Sequence, residues 1–342
     1  MKPLITALLA CVCLGSLEAQ TIYVNASNNR SGNGTVNNPY NKIQPGILKA
    51  KNGDVVSVQS GTYNEAIDFK GKAITVQSTS GPETTIIDAA GLGQVSVVTF
   101  KTSEGQSSVL QGFTIKNGKG SVQTQSGVYF GGGIVCVGTS PKISNVVVIG
   151  NSANYGGGIA GINGSNCLMT NVVLTNNSAT VNGGGAVFMN SSRPSFLSCS
   201  FTGNSADHTG GAINVRDSIP LISNCDFNSN NATDMGGAIR IGALSSATID
   251  NCRFYSNTSN FGGGLAAGSD TAGTTGTVTI TNSIFDINSA PNGTQLSING
   301  IYPAYINISF SFVSGGNAQE STFVDTKWDR TTYLLWGNGM TP

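Results

Sequence analysis

The residues of this sequence that come closest to a reactive constellation are Asp207, His208, Asp234 and Arg240, with Asn214, Arg216 and Asp217 nearby. Two carboxylates with an arginine at hand can hold Ca²⁺ or polarise a uronate, which suits a lyase or hydrolase acting on polysaccharide. The plainer reading makes them polar turn residues on a solvated face, and it is the one favoured here. Ca²⁺ enters only under the first reading; otherwise no cofactor or metal is expected. Phe188, Asn214, Arg216 and Arg240 form an overlapping set suited to binding. An aromatic ring beside amide and guanidinium groups fits sugar rings or acidic partners.

Cys199, Cys225 and Cys252 recur at nearly equal spacing. They read as small buried apolar residues, with a disulfide between neighbours as the lesser alternative. A metal site would need a partnering histidine, and His208 is the only one in the chain. Glycine runs can suggest phosphate binding. Here they return so regularly that turn geometry explains them, and they lack the aspartate of calcium-binding nonapeptide repeats.

Whether any of these side chains meet depends on the repeat that carries them. Gly-Gly-[Gly/Ala]-apolar begins at Gly131, Gly156, Gly184, Gly210, Gly236 and Gly262, with spacings of 25, 28, 26, 26 and 26 residues. A second motif, [Phe/Val]-x-x-Asn, keeps step at Val148 to Asn151, Val173 to Asn176, Phe201 to Asn204, Phe227 to Asn230, Phe254 to Asn257 and Phe285 to Asn288. Two motifs sharing one period specify an all-β solenoid, a right-handed parallel β-helix of roughly ten coils. At ~4.8 Å per coil the rod is ~50 Å long.

Strand alternation assigns the faces. Ile134, Ile159, Val187, Ile213, Ile239 and Leu265 point inward, continued by Cys136, Met189, Val215 and Ile241. Phe201, Phe227 and Phe254 point inward too, each two residues after a cysteine. Phe188, Asn214 and Arg240 then fall on an outward row, expected to be the flattest exposed surface of the rod and the place a partner meets it. Asn145, Asn171, Ser198, Asn224, Asn251 and Asn282 sit at a sharp turn. Asn tolerates left-handed backbone there, and stacked amides can bond along the column. The glycines serve another corner, where positive φ or close backbone approach excludes a Cβ.

Residues 1–19 read as an export signal, with Lys2, an apolar run over 4–14 and Leu17-Glu18-Ala19 before the cut at Gln20. Leu8-Leu9-Ala10-Cys11 offers a lipoprotein box as the alternative. Residues 20–53 are expected to cap the first coil, using a short helix over 45–51 to cover its open end. The β-helix then spans 54–316 and is regular over 131–288. Earlier strands are expected at 55–58, 66–69, 74–77, 85–88, 97–100 and 113–115. Residues 317–342, with Trp328 and Trp336, depart from the repeat and are expected to form a C-terminal cap or tail.

Composition excludes several classes of function. Only 10% of residues are charged and the net charge is zero, so nothing draws the chain to nucleic acid or to an anionic membrane. No stretch after the signal reaches the ~18 apolar residues of a membrane span. Removal of Cys11 and Cys13 with the signal leaves five of seven cysteines, and an odd number argues against a complete disulfide framework. Asn-x-Ser/Thr sequons are little more frequent than chance predicts.

Phe201-Thr202-Gly203-Asn204 followed by Gly210-Gly211-Ala212-Ile213 resembles the repeats of the polymorphic outer-membrane protein family. The opening, from Thr21-Ile22-Tyr23-Val24 to Gly61-Thr62-Tyr63-Asn64-Glu65, is similar to that of many pectin-lyase-like β-helix proteins. The resemblance implies a β-helical passenger that adheres to other surfaces. Autotransporter members carry a C-terminal translocator barrel, and no segment here reads as one. The motif sets of polygalacturonases and pectin esterases are missing as well, and Arg193-Pro194 is too little for a lyase signature. The expectation is therefore a secreted or cell-surface protein of recognition, adhesion or structure, with an extracellular glycan or protein as partner. The alternative is an extracellular polysaccharide lyase or hydrolase.

Overall fold

The computed structural model describes residues 18–123, 127–268, 276–298, 305–309 and 311–314. Nearly all of the segment read as an export signal, and the tail with Trp328 and Trp336, lie outside the described residues. The chain winds into a parallel β-solenoid of about nine turns whose three long sheets hold eleven, ten and nine strands. Each complete turn between the two ends contributes one strand to each sheet. In the coil around residue 210, these are Ser195–Leu197 in the eleven-stranded sheet, Ser200–Thr202 in the ten-stranded sheet and Ile213–Arg216 in the nine-stranded sheet. A fourth sheet of four two-residue strands runs from Ser152–Ala153 to Asn231–Ala232.

Because the strands pair in register, each side chain stacks on its counterpart one coil away. Ile213 lies between Val187 and Ile239, and all three are fully buried. Phe201, Phe227, Phe254 and Phe285 form a continuous ring stack with centroids 4.6, 4.7 and 4.2 Å apart and planes within 4° of parallel. The expected inward rows are thus the core. One coil departs from the expected register: Leu174, not Val173, pairs with Val148 and Phe201 and is buried. The motif there is Leu174 to Asn177. Asn176 takes the left-handed turn with φ 52° and Asn177 goes inside, and a one-residue slip exchanges the two faces of a strand.

The first glycine of each pair has positive φ, from 57° at Gly131 to 73° at Gly184. At the second, approach of the next coil excludes a side chain: a Cβ on Gly211 would lie 2.2 Å from the carbonyl oxygen of Gly237.

Three corners of each coil carry a further regularity. A left-handed residue turns the chain, and where Ser, Cys or Asn follows it, that side chain accepts the backbone N–H of the preceding coil. At one corner Ser192 Oγ accepts from Ser165 N–H at 3.1 Å, and Ser218 Oγ from Ser192 N–H at 3.0 Å. At the second, after the Asn column with φ 51–55°, Cys225 Sγ accepts from Cys199 N–H at 3.4 Å and Ser283 Oγ from Cys252 N–H at 3.1 Å. At the third, Asn151, Asn177, Asn204, Asn230, Asn257 and Asn288 form a buried amide ladder. Asn230 Oδ1 takes both the N–H and the Nδ2–H of Asn204, while its own Nδ2 donates to Phe201 O. Buried backbone donors are thereby paired where the sheets stop.

The capping helix spans Ile43–Lys49 and starts two residues earlier than its proline suggests. The Glu65 carboxylate accepts the N–H groups of Ile43 and Gln44 at 2.7 and 3.0 Å. Lys72 Nζ donates to the carbonyls of Ile47, Leu48 and Ala50 at the other end. Cation and carboxylate thus sit where the helix dipole favours them. Ile43 and Ile47 are buried in the same apolar core as Ile22, Val24 and Val56, and the helix closes the first coil.

Candidate functional site

Phe188, Asn214 and Arg240 do share a row, for they are in-register partners on the outer side of the glycine-led strands. The row is not exposed. Phe188 and Asn214 are 3% accessible and Arg240 7%. The residues before each glycine pair fold back over the strand, and the left-handed first glycine makes that reversal. Tyr155 bridges to Phe130, and Thr209, Met235 and Phe261 bridge to one another in successive coils as a covering column. These strands are therefore covered on both faces, as in sheets sandwiched by other elements.

What covers the row is matched to it residue by residue. Tyr155 lies over Phe188 with ring centroids 4.9 Å apart, and Phe130 stacks on Tyr155 at 5.3 Å with planes 19° apart. Over Asn214 the cover is polar: Asn214 Nδ2 donates to Thr209 Oγ1 at 2.6 Å and to Asn182 O at 3.2 Å. Gly183 is required there, since its Cβ would fall 2.1 Å from Asn214 Nδ2. Arg240 extends Nη1 to Ile241 O at 3.1 Å and Nη2 to Gly268 O at 2.9 Å. Its guanidinium is held by main chain in a buried position. The surface a partner can reach is the cover, where Phe130, Tyr155, Met235 and Phe261 are half-buried. Phe130, Tyr155, Met235 and Phe261, each immediately before a glycine pair, were the signal for this ridge in the sequence, which Gly183 and Thr209 interrupt.

The acid–base candidates come together only in part. His208 Nδ1 lies 3.8 Å from Asp234 Oδ2, with the histidine exposed and the aspartate half-buried. Asp207 is exposed, and its main chain bonds to the adjacent coils through Ala179 O and Thr233 Oγ1. Arg216 is exposed at the strand end, beside Asp217, whose Oδ2 accepts from Ser191 Oγ at 2.8 Å. Among the described residues no three His, Cys, Asp or Glu side chains gather as a metal would require. Nor, among them, is any helix long and apolar enough to cross a membrane. Cys199, Cys225 and Cys252, expected as small buried residues, are buried free thiols, as are Cys136 and Cys167.

Several solved structures share the path of this chain at low identity. A pectate lyase, Pel9A, aligns with 16% identity and a TM-score of 0.49 over 90% of this chain and 72% of its own. A pectin methylesterase from carrot gives 13% identity and 0.45 over 87% and 84%. A GH136 lacto-N-biosidase from Eubacterium ramulus gives 12% and 0.40 over 85% and 65%. No activity is carried over from likenesses of this size. No curated protein sequence matches the chain. Residues 111–304, more than half of the chain, match the family described as the right handed beta helix region, and the chain belongs to that family.

Proposed function

We propose that this protein is an exported recognition or structural β-helix whose covering ridge, centred on Tyr155 and Phe130, binds extracellular glycan. The carrying observation is the pair of half-buried rings stacked at 5.3 Å over the buried Phe188. A rigid, supported aromatic surface loses little freedom when a sugar ring packs against it. Asn154 adjoins Tyr155, and His208 and Asp234, two and three coils further along the same ridge, add hydrogen-bonding groups. Resemblance of the repeat to that of the polymorphic outer-membrane proteins, and of the opening to pectin-lyase-like proteins, supports a partner outside the cell.

Binding is favoured over catalysis because the residues needed for uronate chemistry do not converge. Arg240 is buried and bonds to main-chain carbonyls, and Asp207 is an exposed turn residue outside the His208–Asp234 contact. The experiment measures retention of Tyr155→Ala by immobilised neutral and acidic polysaccharides, with turnover of the same polymers assayed in parallel with and without Ca²⁺. Affinity about 3- to 10-fold below wild type, the worth of one aromatic contact, with no turnover is the expected result. Turnover that Asp234→Ala abolishes would make the protein an enzyme and overturn this reading.

A further inference from the structure

We propose that Cys199, Cys225 and Cys252 form a modification site in which one inter-coil disulfide forms and moves along the rod, with Cys225 as the member common to both positions. The thiols occupy the same place in three successive coils. Each sulfhydryl is directed at the carbonyl two residues earlier: Leu197 for Cys199 at 3.5 Å, Ser223 for Cys225 at 3.3 Å and Asp250 for Cys252 at 3.2 Å. Each also approaches a carbonyl of the preceding coil, that of Met169, Phe196 or Ile222, at 3.5–3.6 Å. The sulfurs are therefore related by one coil translation and lie in a line along the axis. Neighbouring coils touch here, for the Cys199 N–H donates to Cys225 Sγ at 3.4 Å. A spacing of one coil, ~4.8 Å between Cα atoms, falls inside the roughly 4.4–6.8 Å window of a disulfide. Two coils, ~9.6 Å, fall outside it.

The hydrogen-bonding duty of this corner does not call for sulfur. Val146 and Val172 precede the cysteines at the same position, and Ser283 and Ser311 follow them. Ser283 and Ser311 accept the N–H of the coil before, at 3.1 Å in each case. Three consecutive thiols in a column that works with valine or serine point to thiol chemistry. Each thiol lies one residue inside an exposed turn, at Ser198, Asn224 and Asn251.

With glutathione disulfide as oxidant, the thiolate of either end member, Cys199 or Cys252, attacks one of its sulfurs and expels a glutathione thiolate, which takes up the proton that cysteine released. The Cys225 thiolate then attacks the sulfur so modified, forming the Cys199–Cys225 or the Cys225–Cys252 bond and expelling a second glutathione. Two protein thiols are oxidised and one small disulfide is reduced to two thiols. Migration needs no oxidant: the Cys199 thiolate attacks Cys225 in line and Cys252 leaves as thiolate.

The full-length folded protein, incubated in graded glutathione redox buffers, acid-quenched, alkylated and mapped by mass spectrometry, tests this. Expected are two cross-links, 199–225 and 225–252, in the wild type. Cys252→Ser should keep only the first, Cys199→Ser only the second and Cys225→Ser neither; serine is a native occupant of the column, so all three variants fold. The proposal fails if all three thiols remain alkylatable in the most oxidising buffer, if cross-links appear only in denaturant, or if oxidation joins only Cys136 and Cys167.

Discussion

The coils before and after about residue 131 solve the same problem with different chemistry. At every corner the backbone turns away from its sheet and leaves an inward N–H to be paired. In the regular coils uncharged side chains do this repeatedly, Ser at one corner, Cys or Ser at the next and Asn at the third. In the irregular coils single buried carboxylates serve instead. Asp54 accepts from Gln20 and Lys51, Glu65 from Ile43 and Gln44, and Glu104 from Gly71 and Thr102, all within 2.7–3.0 Å. A carboxylate spans two donors at unrelated positions, which suits a coil whose length varies. An amide or hydroxyl serves one fixed geometry, and stacking copies of it is what makes 131–288 regular.

The contrast predicts where damage spreads. Phe227→Ala removes a ring from the middle of the stack and should lower stability by about 3–5 kcal/mol, measured by chemical denaturation. Loss should be shared by both neighbouring coils in amide exchange, because each coil is supported only by those beside it. A change below about 0.5 kcal/mol would break the picture of a continuous aromatic core.

Asn230→Ala comes next. It leaves the Asn204 N–H and one of its Nδ2–H groups without an acceptor in a dry interior, and the Phe201 carbonyl with one donor fewer, at a cost of about 2–4 kcal/mol. Exchange of the Asn204 amide should rise far more than that of Gly71, which Glu104 holds in the other region. Equal exchange at both sites would erase the distinction between the two kinds of corner.

The smallest effect sharpens the comparison through pH. Burial pushes the Glu65 carboxyl above its ordinary range, opposed by the N–H groups of Gln44 and Ile43. A carboxyl raised on folding contributes stability that is complete below its unfolded pKa and is lost as pH rises through the folded value. Protection of the residues 43–49 amides, relative to their intrinsic exchange rates, should therefore fall across that window, and Glu65→Gln should flatten the response. The amide ladder at Asn204 and Asn230 has nothing to titrate, and its protection on the same scale should stay level. A matching pH response there would show that the whole rod, not its cap, is titrating.

Much of this was open to reading in the primary structure because a stacked coil turns a one-dimensional period into a column. Ile213, Phe227 and Asn224 needed only the 26-residue spacing and strand alternation to be placed inward, inward and at a left-handed turn. The slip at Leu174 shows the limit of that method, since two adjacent asparagines offer two equally good frames and only burial selects one. The site was less legible. Alternation set Phe188, Asn214 and Arg240 on the outer side of their strand, correctly, and exposure was inferred from that. It could not show that the residues before Gly184, Gly210 and Gly236 double back over them. Period and alternation are properties of the strand and its chain neighbours, so the sequence by itself determined the solenoid, its core and its turns. Which outward residues meet solvent depends on segments brought together across coils, from Tyr155 over Phe188 to Gly183 beside Asn214, and only the tertiary structure decided that.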